Sequence, residues 1–318
     1  MIFRHLRDLG VLGINSRNAD LISAYNRRAL YPLVDDKLRT KQLARDHGVP
    51  VPDLYGSLSA IRDIQEFPRA IERHQQFVVK PATGSGGDGI LVFDGHQDDR
   101  FRLCTGVLLS WDDLAHHLAN TLNGQYSLGG HPDRVMIEYR VQFDPIFDEV
   151  SYLGVPDIRV IVFRGFPVMA MARLPTRASH GKANLHQGAV GVGIDIANGR
   201  TLRGVLNNDV VDEHPDTGAT LSGLQVPGWR KILLMAARCH ELTGLGYLGV
   251  DIVLDVNKGP LMLELNARPG LNIQIANREG IMGRIRAVQA VADTSHSPEQ
   301  RIDFSATEFS LTKRAATA

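Results

Sequence analysis

Hydrophobic and polar positions change their rhythm several times along the chain. Residues 1–36 interleave charges with apolar side chains and predict one or two helices ending near Tyr31-Pro32. The segment DDKLRTKQLARDHGVPVP, from Asp35, predicts a helix that stops at Gly48, with Pro50 and Pro52 barring its continuation. Apolar positions at Leu58, Ile61 and Ile64 suggest a further helical stretch, interrupted at Pro68. Two β-rich runs follow, FVVK at 77–80 and ILVF at 90–93, separated by the glycine cluster PATGSGGDG. Residues 94–133 read as polar and loop-rich, an insertion with one helix over DDLAHHLANTL.

Beyond residue 134 short strands dominate: VMIEY, then DIRVIVF turning through Arg164-Gly165 into PVMAMARL. GAVGVGIDI follows and turns at Asn198-Gly199, a type I′ hairpin signal. A helix around 229–243 precedes a last hairpin, GYLGVDIVLDVNKGPLMLELNARPGLN, and the closing residues are polar and weakly patterned. Strands and helices mix without regular βαβ alternation, which favours α+β lobes over a doubly wound sheet. The expected division is a helical segment 1–36, a small lobe 37–137 holding the 94–133 insertion, a large lobe 138–295 and a polar tail 296–318.

Composition narrows the class. At 318 residues the chain can bury a sizeable core, and its 35 basic and 35 acidic residues cancel. No global field favours nucleic acid or an anionic membrane surface. No apolar run approaches the roughly 20 residues a membrane helix requires. The N-terminus lacks the apolar core of a signal peptide. Cys104 and Cys239 form no spaced framework, and Cys239 falls within a helical apolar pattern. A cytoplasmic setting is expected.

The last hairpin carries the most chemistry. Glu264 and Asn266 share one face of their strand, since side chains alternate with period two. A two-residue turn at Asn257-Lys258 would put Asp251 opposite Glu264, gathering three hard oxygen donors of the kind Mg²⁺ takes. A three-residue turn would shift the register by one and turn Asp251 to the other face. Acidic residues that are merely solvated, or paired with arginine, fit the same pattern.

Upstream, KPATGSGGDG pairs Lys80 at a strand end with glycines whose backbone N–H groups could approach phosphate. It is no Walker A motif, because no Gly-Lys-Ser/Thr closes it. Lys37 opens a helix, where a cation opposes the macrodipole unless an anion lies nearby. Glu138 and Tyr139 sit where the VMIEYRV strand turns polar. Arg159 shares a face with Ile161 and Phe163 and demands a partner there, either a structural carboxylate or a bound anion. Lys182, Asn184 and His186 occupy a glycine-flanked loop, and His186 could serve as a base near neutral pH. Neither Gly-x-Ser-x-Gly nor His-Glu-x-x-His is present.

In this order, the residues resemble the ATP-grasp superfamily of carboxylate–amine ligases, with the closest likeness to the α-L-glutamate ligase-like branch, over about residues 35–280. The resemblance implies an α+β ATP-grasp fold of two lobes clasping ATP, with a short helical segment in place of the usual preceding domain. It implies ATP contacts from Lys37, Lys80, the loop residues Gly84, Ser85, Gly86, Gly87 and Gly89, and from Glu138, Tyr139, Asp157, Lys182 and Asn184. Asp251, Glu264 and Asn266 would bind one or two Mg²⁺ ions, or Mn²⁺, while Arg159 and Arg268 would stabilise developing charge. The implied reaction joins a carboxylate to an amine through an acyl phosphate, with glutamate as the amino acid and a peptide or protein tail as one form of acceptor. The chain could assemble as a homo-oligomer. Rival readings are a nucleotide-binding regulatory protein without turnover, and a ligase for a cell-surface or secondary-metabolite precursor.

Overall fold

The computed structural model describes residues 6–84, 86–292 and 295–310. The chain divides into two compact units, one of Asp36–Gln42 with Val51–Val141, the other of Met1–Asp35, Leu43–Pro50 and Gln142–Ala318. Helix α1 (Lys37–Asp46) begins in the smaller unit, and its last turn, from Leu43, groups with the larger one. Asp36 caps its start, Oδ1 accepting from the backbone N–H groups of Leu38 at 3.1 Å and Arg39 at 3.2 Å. Gly48, at φ +67°, ends it.

The smaller unit holds an antiparallel sheet in the order β1-β6-β2-β3-β4-β5: β1 (Leu54–Leu58), β2 (Phe77–Pro81), β3 (Leu91–Gln97), β4 (Arg100–Leu103), β5 (Leu108–Leu109) and β6 (Val135–Tyr139). Alternation sends Phe77, Val79, Val135 and Ile137 into a core shared with Phe67 and Ile71 of helix α2 (Phe67–Ile71). Helix α3 (Trp111–Leu122) closes that core with Leu114, Leu118 and Leu122, one stripe at i, i+4 spacing. Each such leucine contributes about 2 kcal/mol by leaving water. A Ser110–Asp113 capping box fixes where α3 begins.

The expected loop-rich character of 94–133 is corrected here, because β4 and β5 extend the sheet. These strands are short, and exposed Arg100 and half-exposed Arg102 alternate with Phe101, which packs against the core.

In the larger unit the sheet order is β11-β10-β9-β8-β7-β12-β13, again antiparallel. Its strands are β7 (Asp157–Phe163), β8 (Phe166–Leu174), β9 (Val190–Ile194), β10 (Thr201–Leu206), β11 (Asp209–Val211), β12 (Tyr247–Asp255) and β13 (Gly259–Asn266). Helix α4 (Trp229–Thr243) buries Ile232, Ala236, Cys239 and Leu242 and packs on β7, β8 and β12. Helices α5 (Asn272–Asn277) and α6 (Met282–Val291) follow β13.

The tight turn expected at Asn198-Gly199 opens into a longer connection from Ile194 to Thr201. Asp195 captures the Ala197 backbone N–H at 3.1 Å and the Asn198 amide at 2.8 Å. A Cβ on Gly199 would lie 2.5 Å from Trp229 Cγ, so the α4 indole shapes this loop. The weakly patterned C-terminal stretch contains a further helix, α7 (Pro298–Glu308), started by a Ser297–Gln300 capping box. Ile302 and Phe309 are buried there, and Phe304 meets Phe166 edge-on at 5.4 Å. Residues 311–318 lie outside the described residues. No helix among the described residues is long and apolar enough to cross a membrane.

The N-terminal segment forms helical turns at Ile14–Ser16, Arg17–Ser23, Arg28–Leu30 and Pro32–Asp35. Buried Asn26 splices it to the sheet. Its amide donates to the carbonyls of Tyr247 at 2.6 Å and Ala267 at 2.8 Å, and its oxygen accepts from Tyr247 N–H at 2.9 Å.

Candidate functional site

The β12–β13 hairpin does place Asp251 opposite Glu264, though by a different route from the one expected. Asp255 pairs with Gly259, so the turn has three residues, Val256, Asn257 and Lys258. Gly259 takes φ +73°, the left-handed conformation such turns need at their end. The register then shifts between Asp251 and Ile252, where Leu263 is the extra residue of a β-bulge. Turn and bulge cancel. Across β7, Asp251 also stands opposite Arg159, so Glu264, Asp251 and Arg159 form one rung on one face.

The rung is tightly bonded. Arg159 Nε donates to Asp251 Oδ1 at 2.7 Å and Nη2 to Oδ2 at 2.5 Å, a bidentate fork. Arg173, on β8, adds a bond from Nη2 to Asp251 Oδ2 at 2.9 Å and makes its own fork to Asp157. The Asn266 amide lies 3.3 Å from Asp251 Oδ2 and 3.4 Å from Glu264 Oε1. Arg173 was not singled out from sequence. An unbroken register from the Arg164-Gly165 turn would put it on the face away from Asp157. A bulge between Ile161 and Val162 of β7, with Val168 as the extra residue on β8, brings it round. Pro167, which has no N–H to donate, stands beside that bulge.

Environment separates the two aspartates. Burial works against the charge on Asp251, but Arg159 and Arg173 together outweigh it and hold the carboxyl well below the usual range. At Asp157 burial, with Asp251 adding repulsion, prevails over the pull of Arg173 and Arg159 and pushes the carboxyl up to about 6. Burial also disfavours the Arg173 charge, yet Asp157 and Asp251 raise its pKa above the ordinary arginine value.

Both Asp251 oxygens are engaged by guanidinium groups, so it braces the rung. Glu264 and Asn266, half-buried on the outer strand, offer a carboxylate and an amide oxygen, the latter after a half-turn of the amide. Among the described residues no cluster of three or more His, Cys, Asp or Glu side chains could hold a metal unaided. Two hard oxygen donors nonetheless fit Mg²⁺, which takes few protein ligands and completes its shell with water and phosphate oxygens.

In the smaller unit a second charged group lies on the sheet face turned away from the core. Lys80 on β2 and Glu138 on β6 form a buried ion pair. Lys41, one helical turn beyond Lys37, joins them with Nζ 2.8 Å from Glu138 Oε2 and also donates to the Pro52 carbonyl. Lys41 is a second residue the sequence reading passed over. Burial penalises the Glu138 charge, but Lys80 and Lys41 overcome this and lower its pKa. Two cations thus share one carboxylate. Lys37 Nζ donates to the Gly84 carbonyl oxygen, and Gly86, Gly87 and Gly89 take φ of +68°, +82° and +74°.

Other expected site residues have contacts of their own. Arg268 pairs with Asp35 at 3.2 Å and its guanidinium covers the Tyr31 ring at 5.1 Å. Asn184 caps a 3₁₀ turn, accepting from His186 N–H at 3.0 Å, in the loop that also carries Lys182, and His186 is exposed. The Tyr139 backbone N–H donates to the Asp53 carbonyl at 2.8 Å. Ser85 lies outside the described residues.

Residues 16–290 match the family described as sugar-transfer associated ATP-grasp, and the chain belongs to that family. It is 23% identical over 251 residues to a probable alpha-L-glutamate ligase of Aeromonas salmonicida (strain A449), covering 79% of this chain and 62% of the relative. It is 26% identical over 283 residues to a probable alpha-L-glutamate ligase 2 of Hahella chejuensis (strain KCTC 2396), covering 88% and 68%. A solved structure of the ATP-grasp ligase PsnB, complexed with a phosphomimetic variant of its minimal precursor, Mg and ADP, is similar with a TM-score of 0.45 and 17% identity, over 85% of this chain and 61% of that one. The chain thus spans less than two thirds of the Aeromonas relative's length.

Proposed function

We propose that the chain is an ATP- and Mg²⁺-dependent ligase that joins a carboxylate to an amine, with glutamate as the amino acid. The observation that carries this reading is the Glu264–Asp251–Arg159 rung, where a bidentate arginine and a second one fix a buried carboxylate beside the oxygen donors of Glu264 and Asn266. Glu264 and Asn266 are the residues that would hold Mg²⁺. The ion, when bound, offsets phosphate charge. Lys41 and Lys80 are cations of the kind that suit phosphate oxygens, and the glycine turn offers backbone N–H groups.

In the first step a substrate carboxylate oxygen attacks the γ-phosphorus of ATP, ADP leaves, and an acyl phosphate forms. In the second an amine attacks the acyl carbon, phosphate leaves, and the amine loses a proton. Arg159 and Lys80 are the groups assigned to steady phosphoryl oxygens, and keeping water out protects the acyl phosphate. The names of the curated relatives support glutamate. The family description supports an acceptor met in sugar transfer, which suits a cell-surface precursor.

An ADP-release assay with Mg·ATP and pooled amino acids and small carboxylic acids tests this, with Glu264→Gln as control and product masses recorded. ADP release together with a condensation product, lost in Glu264→Gln, is the expected result. ATP binding without ADP release in every pool would contradict it and favour a regulatory role.

A further inference from the structure

The segment from α3 to β6 grips both ends of the glycine-rich turn. At the entry, Gly84 forms an isolated antiparallel bridge with Ser127, and the Leu128 N–H donates to the Thr83 carbonyl at 3.4 Å. At the exit, His117 Nε2 lies 3.0 Å from the Gly89 carbonyl oxygen. A carbonyl only accepts, so Nε2 carries the proton. The Tyr126 ring stacks on His117, centroids 5.2 Å apart and planes 29° apart. A Cβ on Gly89 would lie 2.5 Å from Tyr126 Cγ, and its φ of +74° suits glycine besides. His117 is set on a rigid support, since its neighbours Leu114 and Leu118 are fully buried in the core. Between the anchored ends, a Cβ on Gly86 would meet nothing within 4 Å, so the backbone is open to a ligand at that residue.

We propose that His117 and Tyr126 are positioning residues that latch Gly89 and thereby hold the N–H groups of Gly86 and Gly87 ready for the phosphates of ATP. This rests on the ATP-dependent reading above. The latch meets the cost of ordering the turn when the protein folds rather than when nucleotide binds, which tightens binding without touching the ligand. It also gives residues 117–128 a function, within a stretch that reads from sequence as a loop-rich insertion.

The test compares His117→Leu, which fills the space without a donor, with His117→Gln, which restores an N–H at a similar reach. Kd for Mg·ATP is measured by calorimetry, and amide hydrogen exchange of residues 86–90 is followed in the nucleotide-free protein. His117→Leu should weaken Mg·ATP about 3- to 10-fold, the effect of one hydrogen bond, and speed exchange at 86–90 while α3 amides and the melting temperature hold. His117→Gln should recover most of both losses. Tyr126→Ala carries the same expectation if His117→Leu does not fold. Unchanged Kd and exchange in the variants, with wild-type ATP binding intact, would overturn the latch alone. Faster exchange at 86–90 with no nucleotide binding by the wild-type chain would overturn the ATP role and leave only a structural clamp.

Discussion

Asp251 is shared by two guanidinium groups while Asp157 has one, and this asymmetry organises the larger unit's charged cluster. Replacing Arg173 by Met would leave Asp157 buried without its fork. A broken buried pair of this kind costs about 3 kcal/mol, read as a lower urea midpoint. An unchanged midpoint would show that the pair carries little. Glu138 gives a pH dependence of the opposite origin, because its folded pKa is depressed. Its contribution is fully present above the ordinary Glu value of 4.5 and is lost as pH falls through the folded value. Urea titrations should therefore show a large deficit for Glu138→Gln at about pH 7, narrowing at about pH 3.5. A deficit equal at both would contradict the ion-pair account. At this scale the sequence disclosed that Arg159 needed a partner, and Asp251 is that partner. It did not disclose Arg173, whose face depends on the bulge at Val168, or Lys41, whose partner Glu138 lies on a distant strand.

At the scale of the element, the β12–β13 hairpin shows how a correct pairing can rest on an incorrect turn. The two-residue turn read at Asn257-Lys258 has three residues, and the bulge at Leu263 restores the register that the longer turn would have lost. Neither device has a sharp signature, since the turn's left-handed Gly259 looks like any loop glycine and Leu263 like any strand residue. The hairpin should therefore absorb the loss of one residue and not a gain. Deleting Leu263 removes the bulge and keeps Glu264 opposite Asp251, whereas inserting one alanine after Leu263 demands a second unpaired residue or turns Glu264 to the other face. Calorimetry with Mg·ADP should find binding retained in the deletion and lost in the insertion. Equal loss in both would count against the register account. The long amphipathic helices α3 and α4 were legible from their apolar stripes. Short β4 and β5 were not, because strands of two to four residues give periodicity too little length to appear.

On the scale of the whole molecule, 35 basic and 35 acidic residues cancel, and the charge to which the proposal assigns a function lies in two local groups. Lys41 and Lys80 around Glu138 make one, and Arg159 and Arg173 with Asp157, Asp251 and Glu264 make the other. Neither group identifies the acceptor. The ATP-grasp class was legible because lysines, glycine turn and acidic hairpin occur in a fixed order along the chain. The acceptor was not, because no comparable motif marks it. Central to the account is phosphoryl transfer from ATP to a carboxylate oxygen, which leaves a covalent trace. Incubating the chain with Mg·ATP, pooled amines and carboxylic acids labelled with oxygen-18 in the carboxyl group, and weighing the released phosphate, tests it most directly. The account requires phosphate carrying one labelled oxygen, released with ADP and absent in Glu264→Gln. Unlabelled phosphate from every acid pool, released at the same rate without acid, would contradict it.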